Sequence, residues 1–383
     1  MRADVDVVIV GAGIVGAAAA LELARSGRSV VVLERFEPIG AGSRATAGNL
    51  HIQGLHARRP GQDTPVDTAR LLPMQRVASD LWNAWDATVP GLGLVRCGGY
   101  SVAETQEQAQ LLTDKSIREA DAGIPTTVLS GKAARARMPL LGPTVEAATW
   151  CEWDGFADPV AAGTALLDQA TREGVELRAH RPVTGLEHDG SRWLVETETG
   201  ATRAESVVLA CGPWLADVAA LAGVNLDLVP RSLQMHSFEA APGTLTCLVQ
   251  HVAEGMSLKQ QADRLILGGG WPAGPYRAAD GRAPVLASST AGNHAQMTRL
   301  IPQLGSAPLT DVWTGPVVTT PDEMPVIGAL PAAPRLFVAG GTYSFTFAPL
   351  WARTLTALIA GSPPPVDVSA FGPDRLTSIS AEE

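Results

Sequence analysis

Apolar positions crowd the start of the chain. Residues 5–10 are rich in Val and Ile and hardly alternate with polar residues, which predicts a strand buried on both faces. The next six residues, "GAGIVG", carry three glycines and predict a turn. "IVGAAAALELARSG" reads as a helix, rich in Ala and Leu and closed by Gly27. "SVVVLE" predicts a second strand, parallel to the first. A βαβ unit therefore opens the sequence.

Helical spacing returns in "LLPMQRVASDLWNAWDATV". "GGYSVAETQEQAQLLTDKSIREADAG" reads as a strand followed by a charged helix. Near residue 150 the texture changes. "DPVAAGTALLDQATREGVEL" is an amphipathic helix, and the residues after it read as short strands with turns at Asp189-Gly190 and Thr199-Gly200. That stretch ends in a second buried strand at 207–211. Residues 226–318 look strand-rich, with one helix near "AGNHAQMTRLIPQL". The end returns to a strand, "RLFVAGG", and a helix, "APLWARTLTALIAG", with Pro349 in its first turn and Gly361 at its close. The residues after the three prolines read as a loosely held tail. The expected class is α/β, with a second domain of α+β character.

Composition narrows the partners. The 383 residues are 46% hydrophobic and 18% charged, an ordinary globular balance for two domains or one large domain with an insert. A net charge of −10 argues against a nucleic-acid partner, which needs concentrated Lys and Arg. Entry into a strand by Val5 leaves no room for a secretory leader, so a cytoplasmic location is expected. The apolar stretch 7–21 is broken by glycines and falls short of the roughly 20 residues of a membrane span. Cys97, Cys151, Cys211 and Cys247 are far apart, with no CxxC and no Cys/His cluster, so no metal site is expected and free thiols are.

The chemistry lies in the opening turn. In GxGxxG, Gly11 permits the tight turn, Gly13 lets the backbone approach a pyrophosphate, and Gly16 lets helix and strand pack closely. The helix N-terminus adds N–H donors and a favourable dipole. Glu34, 23 residues after Gly11, stands at the end of the second strand, placed to accept from ribose hydroxyls. NAD and FAD share this fingerprint. An NAD enzyme would normally continue with βα units, whereas here a loop of small residues follows, "FEPIGAGSRATAGNLHIQG", suited to lying against a large ring system.

That layout, with a late return to the nucleotide domain, resembles the FAD-dependent oxidoreductases of the D-amino-acid oxidase type. The resemblance covers nearly the whole chain. "SRATAGNL" is similar to the family's flavin loop, "VVLACGPW" to its second nucleotide strand, "TTPDEMPVIG" to its signature near the flavin, and "LFVAGGTYSFTFAPLWARTLTALIAG" to its final strand and helix. Within the family, "AGNLHIQ" and "TTPDEMPVIG" most resemble the flavin subunits of octopine and nopaline oxidases. D-hydroxyproline dehydrogenases and hydrogen cyanide synthase flavin subunits follow.

The resemblance implies a Rossmann-like FAD-binding domain, discontinuous over 1–80, 150–225 and 319–383, with a strand-rich substrate domain over 81–149 and 226–318. It implies that Gly11, Gly13 and Gly16, with Ile14 and Val15, cradle the pyrophosphate. Glu34 would hold the ribose and Arg35 would flank the adenine. Ser43, Arg44 and Thr46 would follow the phosphates and ribityl chain, and Gly48, Asn49 and Leu50 would pass the isoalloxazine. Val183 would meet the adenine, while Cys211 and Gly212 would end a strand facing the cofactor. Gly341, Thr342, Tyr343, Ser344, Phe345, Thr346 and Phe347 would lie at the flavin, where N–H groups at a helix N-terminus stabilise negative charge. Relatives that attach the flavin covalently use a Cys in that last region. None is present here, so FAD is expected to be held non-covalently.

One position departs from the family. Many relatives carry an Arg before the T-P-D motif that clamps the substrate carboxylate as a bidentate pair, and Val317 stands there. Substrate candidates are then His51, Gln53 and Tyr343, with Arg58 or Arg59 as alternative carboxylate partners. His236, His251 and Lys259 read as packed or solvated strand residues, and Trp271 and Trp351 chiefly as core. The expected activity is oxidation of the C–N bond of an amino acid or an N-substituted, opine-like or cyclic amino acid. Hydride would pass to flavin N5 and the imine would hydrolyse. Oxygen, a quinone or a partner subunit in a hetero-oligomer would accept the electrons. The alternatives are a flavin-bearing subunit inactive alone and an NAD-dependent dehydrogenase.

Overall fold

A computed structural model describes residues 3–54, 68–331 and 333–377. The opening pattern forms β1 (Ala3–Val10), α1 (Ile14–Arg25) and β2 (Val30–Leu33), with β1 and β2 parallel. Residues 7–9 and all four residues of β2 are buried, as a strand covered on both faces requires. Gly27 ends α1 in the left-handed region at φ +81°, its N–H donating to the Ala24 carbonyl at 2.8 Å.

Among the described residues two eight-stranded sheets carry the fold. In the first, β1 lies between β2 and the long strand Gly200–Leu209. The antiparallel pair Val183–His188 and Trp193–Thr197 attaches to the first half of that long strand. The strand Leu336–Gly340 pairs parallel to its second half. The C-terminal strand is thus brought back into the same sheet as the first, 326 residues earlier (336 minus 10). The second sheet runs Leu309–Thr319, Val229–Glu239, Arg264–Gly268, Ser257–Gln261, Leu248–His251, Gly99–Ala103, Ala147–Cys151 and Thr126–Ser130. A small third sheet joins Asn49–Leu50, Gly155–Ala157 and Leu94–Arg96.

Helix α1 is the centre of the main core, where its alanines allow close approach by Pro159–Arg172 and Ala348–Ile359. Trp351, Trp82 and Trp85 fill the same core and are essentially unexposed. Pro349 does occupy the first turn of the last helix, which begins at Ala348. The helix expected near residue 291 starts earlier, spanning Ala287–Leu300. The charged helix Gln106–Asp121 buries two of its charges, Lys115 and Glu119, as a 2.6 Å ion pair. Among the described residues no helix is long and apolar enough to cross a membrane.

Candidate active site

One cavity of about 650 Å³ takes its wall from both large sheets. Its size falls in the range of about 300–1,000 Å³ usual for small-molecule and cofactor sites. The β1–α1 turn contributes Val10, Gly11, Gly13, Ile14 and Val15. Gly11 has φ +105°, and a Cβ there would sit 2.5 Å from the Ala210 carbonyl oxygen. Gly16 does not line the cavity. It is where helix meets turn, and a Cβ on it would fall 1.9 Å from the Gly11 oxygen. Ser43 approaches from the far side: its Oγ accepts the Ile14 N–H at 2.9 Å.

Glu34 is anchored by two backbone donors, Ala12 N–H at 2.7 Å to Oε2 and Phe36 N–H at 2.8 Å to Oε1. Each carboxylate oxygen has a second lone pair for a ribose hydroxyl. Beside it the Arg35 guanidinium lies 4.7 Å from the Phe36 ring centre and 4.8 Å from that of Trp214. Val183, Cys211 and Gly212 line the same wall. The Cys211 Sγ donates to the Val10 carbonyl at 3.3 Å, and burial raises its thiol pKa, so it packs as a neutral group. These features fit FAD: glycines where a dinucleotide backbone passes, N–H donors at a helix start, and a carboxylate at the ribose position.

Thr46 and Asn49 line the cavity, while Gly48 and Leu50 lie behind them, Gly48 accepting the Ala157 N–H at 3.0 Å. Arg44 is exposed and outside the lining, because the short helix Gly42–Ala45 turns Ser43 inward and Arg44 to solvent. From the C-terminal segment, Gly341, Thr342, Tyr343, Ser344, Phe345 and Thr346 line the wall. Phe347 is fully buried against Trp351. The helix proper starts one residue later, so the groups facing the cavity belong to a turn, with Tyr343 held at φ +61°. Its strain is of a kind that clusters at functional sites.

The substrate candidates separate. His51 is buried and lines the cavity, its Nε2 3.2 Å from the Ser257 Oγ. Burial, with Lys115 and Lys259 nearby, lowers its pKa from 6.5 to about 4. Gln53 does not reach the cavity. It is wholly buried, donating to Asp154 Oδ2 at 2.7 Å and accepting from Lys115 Nζ at 3.1 Å and Thr149 Oγ1 at 2.9 Å. Asp154 also takes the Ile52 and Gln53 N–H groups, and Glu119 the Gly54 N–H, so this polar cluster fixes the segment that presents His51. Burial raises the Asp154 pKa to about 6. Arg58 and Arg59 lie outside the described residues.

His251 lines the cavity, whereas His236 faces away toward Asn293. Lys259 is unexposed with its Nζ 4.1 Å from the Phe156 ring, and burial lowers its pKa to about 7. Trp271 lies outside the lining and donates to the carbonyl of Gly255, a lining residue. Val317 does line the cavity, with Leu233 and Met235 from the neighbouring strand. Arg181 and Ser257 are lining residues that no sequence motif signalled, while Trp214 and Glu323 lie inside quoted motifs without having been singled out. They come from separate parts of the chain, and only chain folding brings them together.

The depressed pKa of His51 has a direct test. In the FAD-bound protein, nitrogen NMR should show its imidazole neutral from pH 8 down to about 5. The signal is assigned by its loss in His51→Asn. A titration step near 6.5 would contradict the burial seen here.

Comparison with known proteins agrees with this geometry. A family model described as "FAD dependent oxidoreductase" (DAO) matches residues 6–358. An opine oxidase subunit of Rhizobium meliloti is 28% identical over 387 aligned positions, covering 99% of this chain and all of that one. Glycine oxidase of Geobacillus kaustophilus is 26% identical over 374, covering 97% of each. Among solved structures, L-proline dehydrogenase from P. horikoshii superposes with a TM-score of 0.88 at 24% identity, covering 98% of both chains, a likeness of fold alone.

Proposed function

The chain belongs to the DAO family of FAD-dependent oxidoreductases, and from that premise we propose that it oxidises the C–N bond of an N-substituted, opine-like or cyclic amino acid. The observation that supports this most is the shared cavity, where the fingerprint residues, the 341–346 turn and Met235, His251 and Val317 of the second large sheet form one wall. With FAD as the family's cofactor, the NAD alternative falls away. Bound FAD supplies a two-electron acceptor: hydride leaves the carbon next to nitrogen, and the imine product hydrolyses in water.

The chain's own residues do the rest. Gly11 and Gly13 admit the pyrophosphate, and the first turn of α1 faces it with N–H donors. Glu34 would accept from a ribose hydroxyl. His51, neutral at pH 7 and tied to Ser257, orients substrate by hydrogen bonding rather than taking its proton. Positioning and electrostatics can then suffice without a dedicated base. That the Rhizobium relative is one subunit of an oxidase favours a hetero-oligomeric arrangement in which a partner accepts the electrons. A cytoplasmic location is part of the reading and suits four unpaired cysteines.

Anaerobic mixing of the purified yellow protein with octopine, D-proline, sarcosine, glycine and D-alanine tests it. Bleaching of the flavin absorbance by an N-substituted member is expected, and acid precipitation should release all the colour into the supernatant. No bleaching by any of the five would overturn the catalytic reading. Colour left on the pellet would contradict non-covalent attachment.

A further inference from the structure

Two odd-numbered residues of the strand Val229–Glu239 face the cavity. Leu233 and Met235 line it, and their cross-strand partners are Gly315 and Trp313, which pack on Ala45 at the end of the short helix Gly42–Ala45. The even-numbered residues face the other way: Gln234 bonds Thr290 and His236 bonds Asn293, both on the helix Ala287–Leu300. Successive side chains on a strand alternate, so Arg231 shares the face of Leu233 and Met235. Its cross-strand partner in the register is Val317, itself a lining residue. Directly opposed residues on an antiparallel pair place their side chains side by side.

Arg231 itself lies just outside the lining, and it places a cation beside two residues that belong to it, Val317 and Glu323. Its Nη1 lies 3.6 Å from Oε1 of the buried Glu323, another lining residue, and its side chain remains 44% exposed. Glu323 engages one side of the guanidinium, whose five N–H donors leave others for a second carboxylate. Among the described residues the arginines that line the cavity are Arg35 and Arg181, and both have contacts of their own. Arg35 is stacked on Phe36 and Trp214, and Arg181 donates its backbone N–H to the Glu34 carbonyl at the nucleotide side. The wall formed by Leu233, Met235 and Val317 is otherwise apolar.

We propose that Arg231 recognises a substrate carboxylate at the cavity rim, selecting amines that carry a second carboxylate on the nitrogen substituent. This rests on the oxidative reading above and specifies its substrate class: N-(1-carboxyalkyl) amino acids rather than their mono-acid counterparts. Glu323 orients the guanidinium, and the neutral Val317 beside it leaves room for the arriving group. The charge-assisted fork binds carboxylate bidentately, which an ammonium does less well.

The test compares two probes that differ by one carboxylate, N-(1-carboxyethyl)glycine and N-ethylglycine. Affinity is read from the perturbation of flavin fluorescence in the FAD-bound protein, which needs no turnover. Wild type should bind the diacid at least tenfold more tightly. Arg231→Met should remove that preference while leaving the affinity for N-ethylglycine unchanged, and Arg231→Lys should restore part of it. Equal affinity of wild type for both probes, binding of neither, or a preference that survives in Arg231→Met would each overturn the proposal. Tight diacid binding that depends on Arg231 but gives no anaerobic bleaching would leave the recognition intact and refute the oxidative reading instead.

Discussion

Replacing Gly13 with valine should yield a folded protein that retains no FAD. Gly13 is the N-cap of α1 with φ −74° and ψ −177°, extended backbone that valine adopts without strain. The obstacle lies in the space ahead of it. A Cβ there would already stand 3.0 Å from the Ser43 Oγ, the atom that accepts the Ile14 N–H. The two γ-methyl groups of valine would project into the gap between α1 and the 41–47 loop, where a pyrophosphate has to pass. We expect FAD affinity to fall at least about 100-fold, which corresponds to about 2.7 kcal/mol. The neighbouring glycines provide a contrast. Gly11 has a positive φ and Gly16 touches the Gly11 carbonyl, so bulk at either should disrupt the βαβ unit itself. The measurement is an FAD titration of Gly13→Val beside its far-ultraviolet circular dichroism. Its thermal midpoint should match that of wild-type protein stripped of FAD, since the stabilisation by ligand is lost. A variant that purifies with a full complement of FAD would show that the nucleotide does not pass Gly13.

The second large effect concerns substrate choice. On kcat/KM, wild type should prefer a bulky N-substituted amino acid such as octopine over D-alanine by tenfold or more. Val317 lines the cavity without a charge, so a small amino acid finds no bidentate partner on that wall and few other contacts. A longer substrate can span more of the wall and reach its rim. Val317→Arg should shift preference toward D-alanine. The shift should be larger when Arg231 is also replaced, because Arg231 is directly opposed to position 317 and two like charges there repel. A wild-type enzyme that prefers D-alanine tenfold would show that another residue clamps the carboxylate.

Features local along the chain were legible in the sequence. The β1–α1–β2 unit needs only neighbouring residues: an apolar run, a glycine turn, an alanine-rich helix and an acid at the next strand end. Its glycine spacing constrains the backbone directly, so the cofactor class followed from a few dozen residues and their likeness to a known family. The last helix was equally local, marked by Pro349 and Gly361. The rest of the cavity was decided by pairings distant in sequence. Gln53 looked like a polar group beyond the flavin loop, yet Asp154, about a hundred residues on, draws it into the interior. The stretch around 106–121 read only as a charged helix, yet Lys115 and Glu119 are buried, Glu119 accepting the Gly54 N–H, since buried N–H groups need acceptors. The register that sets Arg231 against Val317, 86 residues away (317 minus 231), follows from how two long strands align. A one-residue slip would turn Arg231 to the opposite face, and no local pattern states the alignment. Propensity and glycine geometry act within a turn or a strand, so the sequence alone determined the nucleotide-binding unit. Side-chain neighbours across sheets depend on how distant strands pack and pair, so only the tertiary structure decided which groups surround the substrate.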